Sequence, residues 1–277
     1  MHHYKLLCLC VLLATTLSGA VQAQDTRKLT ILHTGDTHSR LEHIDRPDDR
    51  NHGQGGFVRR ATCLEKLREE TPELLLFDTG DFSQGTPYYT MFRGEAEVKL
   101  MNLMGYDAVG IGNHEFDCGM ENMAKLFRLA TFPVVCSNYD FTNTVLDGLV
   151  RPYIILERGD LRVGVLGLGV RPEGMIPADK FRGVTYRDPV AVANEMAELL
   201  KKEGCQVVVC LSHLGIESDE NLVVKTRNID IILGGHSHTF MKEPRIYLNA
   251  DGASVQVMHT GRDGVKLGRI DLTLKRK

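Results

Sequence analysis

In this 277-residue chain, aspartates, histidines and one asparagine recur directly behind short apolar runs. Asp36 and His38 follow the run at 29–33, Asp81 the run at 74–77, and Asn113 and His114 the run at 108–111. His213 follows 207–211, and His236 and His238 follow 229–233. Each run has the length and composition of a strand, and each is succeeded by a segment rich in Gly, Asp, Asn or His. In α/β folds ligands collect beyond the carboxyl ends of strands, where loops can converge. One such loop would mean little. Five, all carrying metal-ligand residue types, point to a shared site.

Each motif also has a plainer reading when taken alone. Asp36 and His38 are two residues apart, so in an extended segment both side chains face one way and can chelate one cation. The alternative is an Asp turn that merely opens a loop. His236 and His238 repeat the spacing behind two glycines that permit close backbone approach; the alternative is a Gly-rich turn with exposed histidines. Asp81 is placed to cap the next turn or to bridge two metals. His213, alone, reads as a structural histidine. His114 is free to face a substrate, with Asp117 three residues on to fix its tautomer, unless the two simply cap a helix. Together the donors are imidazole, carboxylate and one amide oxygen, without thiolate. That set favours two divalent transition ions (Zn, Mn, Fe or Co) over Mg alone or an all-oxygen calcium site. Such a pair can lower the pKa of a shared water and clamp the oxygens of a displacement at phosphorus.

The elements that must position these residues alternate. Further strands are expected at 133–137, 153–156, 162–167, 245–248, 254–259 and 266–274, with helices at 58–70, 91–104, 121–129 and 190–203. In the last helix Val192, Met196, Leu199 and Leu200 recur at helical spacing between Glu and Lys. Alternation of this kind indicates α/β layers rather than an all-β sandwich. The final stretch lacks helices, which predicts antiparallel strands completing a second sheet.

A net charge of −3 excludes the basic field of a nucleic-acid coat or a membrane-surface protein. An anionic substrate must then be held by metals or single arginines. Residues 1–23 read as a signal peptide: a short basic start, an apolar stretch at 6–17, and a small-residue end at Val21-Gln22-Ala23. The chain is therefore expected to be exported, periplasmic or extracellular, with no membrane association after cleavage. Residues 24–277 are enough for one large domain. Its cysteines are Cys63, Cys118, Cys136, Cys205 and Cys210, an odd number that leaves at least one thiol unpaired. Cys136 and Cys210 end apolar runs and read as small buried hydrophobes.

The segments Gly35-Asp36-Thr37-His38, Gly80-Asp81-Phe82-Ser83-Gln84-Gly85, Gly112-Asn113-His114-Glu115-Phe116-Asp117, Ser212-His213 and Gly234-Gly235-His236-Ser237-His238 resemble the metallophosphatase domain of the 5′-nucleotidase family, in its order. The resemblance implies a four-layer α/β/β/α sandwich with the site at the strand ends. It implies one metal held by Asp36, His38, Asp81 and His238, and another by Asp81, Asn113, His213 and His236, with Asp81 bridging. His114 and Asp117 match the family's catalytic dyad, and Asn113 and His114 would face the substrate. Typical members continue into a C-terminal domain that stacks the base and grips the phosphate, and no such segment is expected before Lys277. Nucleotide specificity is then expected to come from a separate chain resembling that domain.

Three functions compete. The first is an exported phosphoesterase of 5′-nucleotidase type acting on nucleotide phosphomonoesters. The second is a cyclic-nucleotide or nucleotide-sugar phosphodiesterase using the same ligands. The third, a non-catalytic metal-binding scaffold, is disfavoured because all seven ligand positions and the dyad are intact.

Overall fold

The computed structural model describes residues 26–275, so the segment read as a signal peptide lies outside the described residues. The first half of the chain runs β1 (Thr26–Thr34), α1 (Phe57–Glu70), β2 (Leu75–Asp78), α2 (Pro87–Phe92), α3 (Glu95–Met104), β3 (Ala108–Val109), α4 (Gly119–Leu129), β4 (Val134–Val135), β5 (Tyr139–Asp140) and β6 (Val150–Arg151). The second half runs β7 (Tyr153–Arg158), β8 (Leu161–Leu168), β9 (Thr185–Tyr186), α5 (Pro189–Lys202), β10 (Val207–Ser212), α6 (Ile216–Val223), β11 (Ile231–Gly234), β12 (Arg245–Leu248), β13 (Ser254–His259) and β14 (Gly268–Lys275). Two six-stranded sheets result, ordered β14-β1-β2-β3-β4-β6 and β12-β13-β11-β10-β8-β7, while β5 and β9 form a small ribbon.

Strand alternation explains the layering. In β2, Leu75 and Phe77 face the second sheet while Leu76 faces the helices α1, α3 and α4. In β10, Val207, Val209 and Leu211 join the same central layer, and Val208 and Cys210 face α5 and α6. Such strands are buried on both faces, which is why they read as unbroken apolar runs. The order is helices, sheet, sheet, helices: the four-layer sandwich.

Two expectations need correction. The helix expected over 91–104 is two, because Arg93 and Gly94 take left-handed backbone at φ 52° and 94° and break it. The final strands do not simply complete the second sheet antiparallel. β13 pairs parallel with β11, β12 alone of these final strands adds to that sheet antiparallel, and β14 returns to pair antiparallel with β1 in the first sheet. The helix α6 was not anticipated; its sequence, Ile216-Glu-Ser-Asp-Glu, resembles a polar loop.

Candidate metal centre

Within each sheet the site-bearing strands are parallel. β1 pairs with β2, β2 with β3, and β10 with β11 in that sense, so their carboxyl ends share one edge. Backbone bonds lock the loops together: Asp36 N–H donates to the Gly80 carbonyl at 3.0 Å, His38 N–H to that of Asp81 at 3.0 Å, and Gly235 N–H to that of Ser212 at 2.9 Å. One bond joins the two sheets directly, from His213 Nδ1 to the Thr79 carbonyl at 2.8 Å. A carbonyl can only accept, so Nδ1 carries a proton and Nε2 is the nitrogen that faces the site.

The seven anticipated donors meet. Asp36, His38 and His238 form one group whose donor atoms lie within 4.8 Å of one another, and Asp81, His213 and His236 form another. His38 Nε2 and His238 Nε2 are 2.9 Å apart, and His236 Nδ1 lies 3.0 Å from Asn113 Oδ1. Asp81 Oδ2 is 3.1 Å from His213 Nε2, while its Oδ1 accepts the His114 N–H at 2.9 Å. His114 Nδ1 and Asp117 Oδ2 are 2.9 Å apart, which leaves the other ring nitrogen outside that bond. His114 also forms a donor group with His38 and Asp81. Arg40 is tied to Asp263, at 3.2 Å.

The extended geometry expected for the Asp36–His38 and His236–His238 pairs is not the one that forms. Asp36, His38, Asp81, His236 and His238 all have positive φ, between 45° and 72°. Non-glycine residues adopt this region at a cost of about 1–3 kcal/mol each, although Asp and His tolerate it better than most. Five such residues around one point indicate strain held in place by the fold for the sake of the side chains' aim.

The electrostatics suit cations. Asp36 and Asp81 are almost wholly buried, at 1% and 2% exposure. Burial raises Asp36 to about 7 against the opposing pull of His213. Burial also opposes Asp81's charge, but His213 outweighs it and holds that carboxylate low. Burial lowers His213 too, yet Asp81 and then Asp36 bring it up to about 10. The carboxylates thus draw a proton onto a fully buried imidazole, where a cation would satisfy them as well. Burial first, and neighbouring histidines after it, push His38 and His236 down to about 4, leaving both neutral and able to donate lone pairs. His38 Nδ1 is buried without a hydrogen-bond partner. Nitrogen donors on one ion at about 2.0–2.1 Å sit close to the separations seen here, so the residues present fit two divalent ions.

Sequence reasoning missed Glu115. Its buried carboxylate accepts the N–H groups of Gly112, Asp81 and Phe82 at 2.7, 2.8 and 3.1 Å, and so shapes the loop that aims Asp81. Burial, reinforced by Asp81, raises its pKa. Its position inside the Asn113–Asp117 motif was the available signal. A cavity of about 520 Å³ opens beside His236, with Arg171, Tyr186 and Lys225 in its wall.

Two parallel-edged sheets feeding one dinuclear donor cluster define a metallophosphoesterase. The model of the calcineurin-like phosphoesterase family matches residues 29–240, and the chain belongs to that family; its Asp and His groups are suited to holding divalent ions. More particularly, it is 32% identical over 265 residues to a snake venom 5′-nucleotidase of Gloydius brevicauda, covering 88% of this chain and 45% of that protein. It superposes on a 5′-nucleotidase precursor from Thermus thermophilus with TM-score 0.83 and 31% identity, over 88% of this chain and 51% of the other. For the NAD nucleotidase of Haemophilus influenzae the values are 0.81 and 29%, over 90% and 48%. The chain therefore spans about half the length of these relatives.

Proposed function

We propose that the chain is an exported hydrolase of 5′-nucleotide phosphomonoesters. The observation that carries this reading is the pair of donor groups at the strand ends, with Asp81 a member of one and also grouped with His38 of the other. In the proposed assignment Asp36, His38, Asp81 and His238 hold one ion, and Asp81, Asn113, His213 and His236 the other. When bound, the two ions supply Lewis acidity and lower the pKa of water at the phosphorus. Asn113, a neutral donor, leaves the site net positive toward a phosphoryl group. His114 contributes the proton that the leaving oxygen needs. The Asp117 carboxylate, 2.9 Å from its Nδ1, orients the ring, and with Asp81 it outweighs partial burial to raise the pKa. The raised pKa favours the protonated form that a general acid requires.

Likeness to named 5′-nucleotidases supports the monoester, nucleotide choice. A second reading, phosphodiester or pyrophosphate cleavage, draws support from the NAD nucleotidase likeness and from the cavity beside His236, which has room for a second substituent. Because the relatives are about twice as long, we assign nucleoside recognition to a region corresponding to their remaining half. Residues 1–23 are assigned to export, with residues 24–277 as the catalytic domain; no helix among the described residues is long and apolar enough to cross a membrane. Steady-state kinetics on AMP, UMP, NAD and bis(p-nitrophenyl) phosphate separate the readings. Release of inorganic phosphate from AMP and UMP, with high KM for both, is expected. Cleavage of the diesters alone would overturn the monoester assignment, and micromolar KM with clear base preference would place nucleoside recognition within residues 24–277.

A further inference from the structure

Behind the donor cluster, and unused by the reaction above, lies a buried acid. Asp219 sits on α6 with no exposure, on a helix that also buries Leu222 and Val223. Its Oδ1 accepts the Ser212 hydroxyl at 2.5 Å, and its Oδ2 lies 2.8 Å from His259 Nε2. Ser212 ends β10 and His259 ends β13, so one carboxylate ties two strand ends. The third end, that of β11 between them, is Gly234, and a Cβ there would collide with both the His259 ring and the Asp219 carboxylate. Ser212 is followed by His213, and Gly234 precedes His236 by two residues. The Ser212 carbonyl further accepts the Gly235 N–H at 2.9 Å.

A buried carboxylate is costly unless well paired, and an apolar residue of similar size would serve packing alone as well or better. The pairing here is spent on the ends of the strands that deliver His213 and His236. We infer that Asp219 is a positioning residue for one ion only, the one assigned to Asp81, Asn113, His213 and His236. The inference rests on that proposed assignment. The ion assigned to Asp36, His38, Asp81 and His238 depends mostly on the β1 and β2 loops, and this clamp reaches it through His238 and the His236 N–H that holds Asp36 at 2.9 Å.

The test is a titration of the metal-free full chain with Mn²⁺ or Zn²⁺ against a competing chromophoric chelator, alongside circular dichroism. Wild type is read first and is expected to take two ions. Asp219→Ala should weaken one ion by about 10- to 100-fold, the usual cost of losing an outer partner of a metal ligand, and leave the other near its wild-type affinity. Asp219→Asn keeps an acceptor for Ser212 and should recover most of the loss. General destabilisation would not discriminate between ions, so equal weakening of both overturns the inference, as does unchanged binding of both by a folded Asp219→Ala. Should that variant not fold, Ser212→Ala decides: selective weakening of one ion, smaller than about tenfold, supports the clamp, and unchanged binding rejects it. A wild-type chain that takes no ion would instead overturn the metal assignment itself, and the inference with it.

Discussion

Gly235→Ala isolates the geometry of the centre from its chemistry, because it removes no donor. A methyl group at Gly235 would lie 2.8 Å from Thr79 Oγ1, 2.9 Å from His213 Nδ1 and 3.1 Å from Asp36 Oδ2. Ordinary contact for a Cβ begins near 3.4 Å, so these atoms must retreat by several tenths of an ångström. The surroundings give little room: His213 is fully buried and anchored to the Thr79 carbonyl, and Asp36 is held by the His236 N–H at 2.9 Å. Functional groups need placement to within about 0.5 Å, so the displacement reaches the tolerance of the site. Overpacking should cost about 1–3 kcal/mol of stability, and metal affinity should fall by roughly 10- to 100-fold, as it does when support for a ligand is lost. The assay is metal titration by competition with a chelator, with thermal unfolding monitored in parallel. A folded Gly235→Ala that binds both ions with wild-type affinity would refute the claim that this glycine is required for close approach.

His114→Ala should retain both ions but lower kcat by roughly two to four orders of magnitude, the range for a positioned acid–base group, whereas Asp81→Ala should lose metal together with activity; the opposite pattern would show that His114 is a ligand rather than the acid, a distinction that matters because His114 also lies in a donor group with His38 and Asp81. Stability should depend on His33, which is fully buried without a partner for either ring nitrogen. Burial, with the charge of His259 adding, pushes its pKa down to about 3. The folded value lies below the unfolded one, so its contribution is present above pH 6.5 and is lost as pH falls toward 3. From about pH 7 to about pH 5 the loss should be about 2 kcal/mol, at about 1.36 kcal/mol per unit. Urea unfolding of wild type and His33→Leu at both pH values checks this, and equal slopes would contradict it.

The donors were legible because their residue types are unusual directly behind apolar runs, and those runs were legible because strands covered on both faces leave little alternation to misread. What could not be read was conformation. The positive φ at Asp36, His38, Asp81, His236 and His238 arises from contacts between loops far apart in sequence, such as Asp36 to Gly80 and His38 to Asp81. Buried acids were equally opaque. Asp219 stands between Ser218 and Glu220 and looks like one more charge on a solvated surface, yet the pairing of β11 with both β10 and β13 brings Ser212 and His259 around it. Glu115 looks like a neighbour of the dyad, and its work on the Asp81 loop appears only once β2 and β3 are side by side. The break at Arg93-Gly94 shows the opposite limit. A helical pattern of apolar residues persists across a turn that local backbone geometry interrupts.

Two ions at one centre must act together on the phosphoester. The most direct measurement is a Mn²⁺ titration of the metal-free full chain in which bound metal and hydrolysis of p-nitrophenyl phosphate are followed on the same samples. Activity that appears only as occupancy approaches two ions per chain, and that disappears on chelation, is the predicted result. Hydrolysis at full rate without bound metal, or a chain that takes up no ion and remains inactive with Mn²⁺, Co²⁺ and Zn²⁺ alike, would contradict it.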